Sequence, residues 1–189
     1  IGIFTNDPLR GKIKKGNKII VSGTVGDHGI TIMALRNDLK FSGSLKSDCA
    51  GLNHMISSIS AEFGSNIKFI RDATRGGIAS VLNEICDNQD FSASIYEDSV
   101  PVQSEVRGIC DLLGLDPFYV ANEGKIIIVA DDKFADSIVD EIKKDPSGRN
   151  AAVIGEIDDA YPGKVYVNTY IGGRRLLPLL VEEQLPRIC

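Results

Sequence analysis

The sequence has no surplus of positive charge: 21 Lys and Arg stand against 26 Asp and Glu, a formal net charge of −5. A phosphate backbone selects for clustered cations, so no nucleic-acid partner is expected. The one basic run, residues 10–18, is broken by glycines and reads as a solvated linker beside a domain junction. No apolar run approaches the roughly 20 residues that span a bilayer, which excludes a membrane-spanning helix. Residues 1–7 lack the charged start and long apolar stretch of a secretory signal, and they lack an initiator methionine. The expectation is a fragment of a cytoplasmic protein.

Cysteine is sparse, with four residues at positions 49, 86, 110 and 189. None forms a CxxC pair, and the spacings fit no zinc pattern. A disulfide framework does not suit a chain of this length with a cytoplasmic character. Cys86 and Cys110 fall in helical stretches and read as buried thiols, each acting as a small hydrophobe. Internal repeats and low-complexity segments are also missing.

What is present is the balance of an ordinary globular domain, 43% hydrophobic and 25% charged over 189 residues. Strands are expected at residues 18–22, 67–70, 91–96, 125–130, 152–157 and 165–169. Apolar residues at helical spacing predict helices over 27–38, 52–63, 77–87 and 102–113, the last stopped by Gly114. Asp131 is expected to cap a further helix running to about Lys144. The segment KIIIVA at 125–130 is apolar enough to be a buried, central strand. The fold class is α/β (α+β), a mixed sheet of four or more strands packed with helices. It should occupy residues 16–180, with 1–15 the end of a preceding domain and 181–189 a flexible tail.

Three loops could carry chemistry. Ser22-Gly23-Thr24-Val25-Gly26-Asp27-His28-Gly29 leaves a strand and enters a helix, where free N–H groups favour anions. No Gly-Lys-Ser/Thr closes it, so it is not a Walker A loop. A plain turn capped by Asp27 is the alternative. Arg71-Asp72-Ala73-Thr74-Arg75-Gly76-Gly77 also joins a strand to a helix. Asp72 suits a hard cation and Arg75 suits phosphate oxygens, while an Asp72–Arg75 surface pair around a glycine turn is the alternative. Val120-Ala121-Asn122-Glu123-Gly124-Lys125 places a carboxylate at the lip of a buried strand, a position suited to proton transfer; a solvated turn glutamate is the alternative. Finally, the chain ends in Pro186-Arg187-Ile188-Cys189. A terminal thiol has no chain beyond it to block access, and Arg187 could favour the thiolate. A prenylation box is excluded, since its cysteine stands fourth from the end.

The segments VSGTVGDHGI, KSDCAGLN, RDATRGGIASVLNEI and YVANEGK, with the ending PRIC, together resemble the HypE family, the carbamoyl dehydratases of nickel-iron hydrogenase maturation. The resemblance runs from about Lys18 to Cys189. One position departs from it: Ala73 stands where a proline is expected. The family belongs to the fold group of aminoimidazole ribonucleotide (AIR) synthetase, or PurM, and selenophosphate synthetase. The chain resembles only the C-terminal domain, which follows an N-terminal, dimerising domain that holds most of the ATP site.

The resemblance implies that Cys189 accepts a carbamoyl group from the partner HypF. It implies that ATP with Mg2+ then drives dehydration of the S-carboxamide to an S-cyanate, and that the cyano group passes to iron held by HypC and HypD. Glu123 would assist proton removal and Asp72 would face the metal. Gly26, Asp27, His28, Thr74, Arg75, Gly76 and Asn122 would contribute to the nucleotide site. The full-length protein would be a homodimer, and this chain alone would be inactive. Three other functions compete: a non-enzymatic carbamoyl or cyano carrier, another ATP-dependent enzyme of the same fold group acting on a free small molecule, and a metal-binding or redox module, for which no second ligand or resolving cysteine lies near Cys189 in sequence. The PRIC ending speaks against the second.

Overall fold

The structure, a computed structural model, describes residues 11–36 and 45–180. Its centre is a seven-stranded mixed sheet: β1 (Lys18–Val21), β2 (Ile67–Asp72), β3 (Ser92–Tyr96), β4 (Ile126–Ala130), β5 (Ala152–Asp158), β6 (Val165–Asn168) and β7 (Arg174–Leu176), in the spatial order β2-β4-β1-β5-β3-β6-β7. Every neighbouring pair is antiparallel except β3 with β6. Among the described residues five α-helices pack around it: α1 (Asp27–Arg36), α2 (Asn53–Phe63), α3 (Gly77–Cys86), α4 (Ser104–Leu113) and α5 (Ala135–Ile142).

Alternation along the strands sends successive side chains to opposite faces. On one face Ile19, Val21, Ile127, Val129, Ala93 and Ile95 meet Ile78, Val81, Leu82 and Ile85 of α3. On the other, Ile20, Ile126, Ile128 and Ala130 meet Met55 and Ile59 of α2 and Ile138 and Ile142 of α5. β4 therefore has all five residues buried, which is why its sequence is continuously apolar rather than alternating. A third, smaller core joins Ile30 of α1 to Val106, Ile109 and Cys110 of α4 and to Val120. Cys86 and Cys110 are 0% and 1% exposed, so both are buried thiols as expected.

The sheet is mixed and has more than four strands, as the sequence predicts, and the differences lie at element ends and in one short added strand. The segment after Asp131 opens with a single 3-10 turn over Asp132–Phe134 before α5 begins at Ala135, and the Asp131 side chain caps neither. It accepts instead from Asn17 Nδ2 at 3.1 Å and pairs with Lys68 at 2.8 Å. β2 runs on through Arg71 and Asp72 because both continue the ladder with β4. β7 escaped the sequence pattern: it is three residues long with its outer residues exposed, and so carries little hydrophobic signal. The basic segment before β1 is not a free linker. Its lysines face solvent, but Gly16 N–H donates to Ile157 O and Ile157 N–H donates to Asn17 O, both at 2.8 Å. No helix among the described residues is long and apolar enough to cross a membrane.

Candidate active site

The sheet order gathers the three chemically suggestive loops. β1 and β2 both run antiparallel to β4, which lies between them. The C-terminal ends of β1 and β2 and the N-terminal end of β4 therefore share one end of the sheet. The loops that follow β1, follow β2 and precede β4 converge there.

Asn122 ties them together. Its Oδ1 accepts the Gly26 N–H at 2.8 Å, and its Nδ2 donates to Ala73 O and Val120 O, each at 3.1 Å. Its own backbone N–H reaches Ala73 O at 3.2 Å. The residue is 0% exposed, and both amide protons are spent. Asn122 and Gly26 were expected to contribute to a nucleotide site, and in the structure their polar groups bond within the chain. The Gly26 N–H is held by Asn122, and its carbonyl accepts from Ile30. The pair shapes the loops from beneath.

Asp27 and His28 begin α1 and point inward. Asp27 is 3% exposed; its Oδ2 accepts from the Thr24 hydroxyl, and its Oδ1 is buried without a hydrogen bond. Burial raises its pKa and the nearby Asp48 adds to the effect, while hydrogen bonds from Thr24 and Gln103 and the charge of Lys125 oppose it. His28 Nδ1 lies 2.9 Å from Ser47 Oγ, and its Nε2 is buried and unpartnered.

The β2–α3 loop forms the outer rim. Asp72 and Arg75 are exposed. Among the described residues no ion pair joins them; Asp72 Oδ2 instead accepts from Thr74 Oγ1 at 2.7 Å. Gly76 and Gly77 follow with φ of +65° and +59°, the left-handed region that favours glycine. At Gly77 a Cβ would also meet Phe118 O at 2.5 Å and Val120 O at 2.7 Å, so the start of α3 packs directly against the loop that carries Glu123. Glu123 is half-buried, and its backbone N–H donates to Asp48 Oδ1 at 3.1 Å.

Sequence inspection missed Asp48 and Lys125. Lys125 is 5% exposed and its Nζ lies 3.5 Å from Asp48 Oδ2. The available signal was a lysine opening an otherwise apolar strand, since a buried cation requires a partner. Cys189 lies outside the described residues. Cys49, beside Asp48, is exposed.

This arrangement supplies a half-buried carboxylate on a braced loop, an exposed carboxylate and guanidinium on a glycine-rich rim, and a buried charge cluster behind them. Residues 14–168 match the family described as AIR synthase related protein, C-terminal domain. Carbamoyl dehydratase HypE of Rhodobacter capsulatus is 41% identical over 179 residues, covering 95% of this chain and 52% of that protein. A crystal structure of hydrogenase maturation protein HypE in complex with ATP aligns with a TM-score of 0.87 at 40% identity, over 94% of this chain and 54% of the other. A chain of a HypE–HypF complex aligns with a TM-score of 0.81 at 37% identity, over 86% and 52%. The chain thus spans about half the length of the curated relatives it matches. Because the family match takes in β1 through β6, all five helices and the three converging loops, the chain belongs to the AIR synthase related family, as its C-terminal domain.

Proposed function

We propose that this chain is the C-terminal part of a carbamoyl dehydratase of nickel-iron hydrogenase maturation. The observation that carries the reading is 41% identity to a protein of that name across 95% of the chain. The braced placement of Glu123 supports it.

In this reading Cys189 receives a carbamoyl group from a HypF-type transferase. ATP phosphorylates the oxygen of the resulting S-carboxamide, turning a poor leaving group into phosphate, and ADP departs. Loss of the phosphate and of the two N–H protons leaves the S-cyanate. Glu123 accepts a proton in this elimination. Tethering the substrate on the chain raises its effective concentration at the site. The cyano group then passes to iron held by HypC and HypD.

Asp72 and Arg75 fit a metal–phosphate role. The exposed carboxylate is a hard oxygen donor, and the exposed guanidinium matches phosphate geometry. Among the described residues no group of three or more His, Cys, Asp and Glu could hold a metal by itself. Asp72 would therefore give one ligand to Mg2+, which screens the phosphate charge, and the nucleotide and the preceding domain would give the others. Residues 1–15 belong in this reading to that ATP-binding domain, 181–189 form the substrate arm, and the whole protein is a cytoplasmic homodimer.

The test is transfer of label from carbon-labelled carbamoyl phosphate, with HypF and ATP, to the full-length protein. Cys189→Ser should accept none, since a hydroxyl is a poor nucleophile at neutral pH. Glu123→Gln should accept label normally but form S-cyanate slower by about 100-fold or more. Label on Cys49, Cys86 or Cys110, or a normal rate in Glu123→Gln, would overturn the assignment.

A further inference from the structure

Three consecutive residues, Glu123, Gly124 and Lys125, all bear on Asp48. The Glu123 N–H donates to Asp48 Oδ1 at 3.1 Å. Lys125 Nζ lies 3.5 Å from Asp48 Oδ2, with the two side chains only 6% and 2% exposed. Between them the chain passes so close to Asp48 that a Cβ on Gly124 would meet the Asp48 carbonyl oxygen at 1.9 Å. Only glycine permits that approach.

The other flank of Glu123 is Asn122, held by the hydrogen bonds that join the three loops. The Glu123 backbone is therefore fixed from both sides, by Asn122 before it and by Asp48 across it and after it. The carboxylate extends from a Cα held in this way. A carboxylate that must meet a proton on a tethered substrate gains from such fixing, since a misplacement of about 1 Å can cost on the order of 100-fold in rate.

The charge arrangement around Asp48 is costly for a purely structural contact. Its Oδ2 has no hydrogen bond, only the ammonium of Lys125 at 3.5 Å. Asp27, itself buried, stands near enough to interact electrostatically with both Asp48 and Lys125. Two carboxylates and one ammonium out of water give little net stability compared with apolar side chains of similar volume. The proposed reaction gives Asp48 and Lys125 no direct role.

We infer that Asp48 is the positioning residue of Glu123: with Lys125 as its counter-charge, it clamps the Glu123–Lys125 segment and so aims the carboxylate at the S-carboxamide. The inference rests on the reading of Glu123 as the base.

The experiment uses the full-length protein, carbamoylated on Cys189 and then given ATP and Mg2+, with S-cyanate followed in a single turnover. Asp48→Asn should carbamoylate at the normal rate and keep its KM for ATP, while dehydration slows about 10- to 100-fold. Because this variant leaves Lys125 buried and unpaired, Asp48→Asn is also combined with Lys125→Met, which removes both charges together. That double variant should fold as the wild type does and remain slow. In a Glu123→Gln background, Asp48→Asn should slow the reaction no further, because a residue acting through Glu123 loses its effect once the base is gone. Recovery of the wild-type rate in the double variant, or losses that multiply with Glu123→Gln, would overturn the role of Asp48 alone. Absence of S-cyanate from the wild-type protein would overturn the reaction, and the role of Asp48 with it.

Discussion

Asn122 Oδ1 accepts the Gly26 N–H at 2.8 Å across 96 positions of sequence. The same side chain donates to Ala73 O and Val120 O, so one buried amide spans the loops that leave β1 and β2 and the loop that enters β4. An asparagine suits the place because it offers an acceptor and two donors on a short, planar group.

Asn122→Ala should therefore be far more damaging than a turn substitution. It leaves one buried donor without its acceptor and removes the side-chain donor from two carbonyls, at about 1–3 kcal/mol for each group left unsatisfied. Urea unfolding of the chain should show a loss of at least about 2 kcal/mol by that reckoning. A change within about 0.5 kcal/mol, the usual range for an ordinary surface site, would mean that water replaces the side chain and that the loops do not depend on it.

Asp27 should make stability depend on pH in an unusual direction. Burial raises its pKa above the ordinary 3.8, so between the unfolded and folded values the native state holds the extra proton. The stability that the neutral carboxyl provides is complete below the unfolded value. It is lost as pH rises through the raised folded value. Asp27→Asn is neutral at every pH and keeps an oxygen for Thr24. Its stability relative to wild type should therefore climb as pH rises above the ordinary carboxylate range, then level off. Denaturant melts of both proteins from acid to neutral pH would check this, and a flat difference would show that Asp27 is not perturbed.

The thiols should separate by burial. Desolvation pushes Cys86 up to about 12 and Cys110 up to about 11, and neither is accessible. Iodoacetamide at neutral pH should label the exposed Cys49 in the native chain, and Cys86 and Cys110 only after denaturation, because the thiolate is the reactive form. Peptide mapping distinguishes the sites. Native labelling at Cys86 would indicate that α3 opens from the sheet.

Gly77→Ala should destabilise the chain by about 1–3 kcal/mol, the cost of a non-glycine residue held in a sparsely populated backbone region. Its φ of +59° and the Phe118 and Val120 carbonyls within 2.7 Å of a built Cβ both oppose the new methyl group. Gly114, with φ of +68° and open space around it, provides the comparison: Gly114→Ala meets the backbone strain alone and should cost less. Equal losses in thermal melts would show that the close approach at Gly77 contributes nothing.

Much of this protein was legible in the sequence, for reasons that are local. Ile78, Val81, Leu82 and Ile85 recur at helical spacing and form the buried side of α3. KIIIVA is apolar at every position after its lysine because β4 is covered on both faces. Gly114 ends α4 in the left-handed conformation that its lack of a side chain allows. The three glycine- and acid-bearing loops could be named because turn chemistry is written in short stretches, and the family resemblance was carried by those stretches together with KSDCAGLN and the ending PRIC.

Tertiary structure decided the rest. Strand order places β4 between β2 and β1, and pairing between distant segments leaves no periodic trace in any one of them. That order turns three separate loops into one site. It also fixes which polar groups are spent and which remain available: Asn122 and Gly26 face each other and are consumed, while Asp72 and Arg75 stay at the rim. Asp48 sits in a polar segment with no hydrophobic pattern to mark it. Its place beneath Glu123 and beside Lys125 arises only because folding brings residues 48 and 125 together, and burial then makes their charges matter.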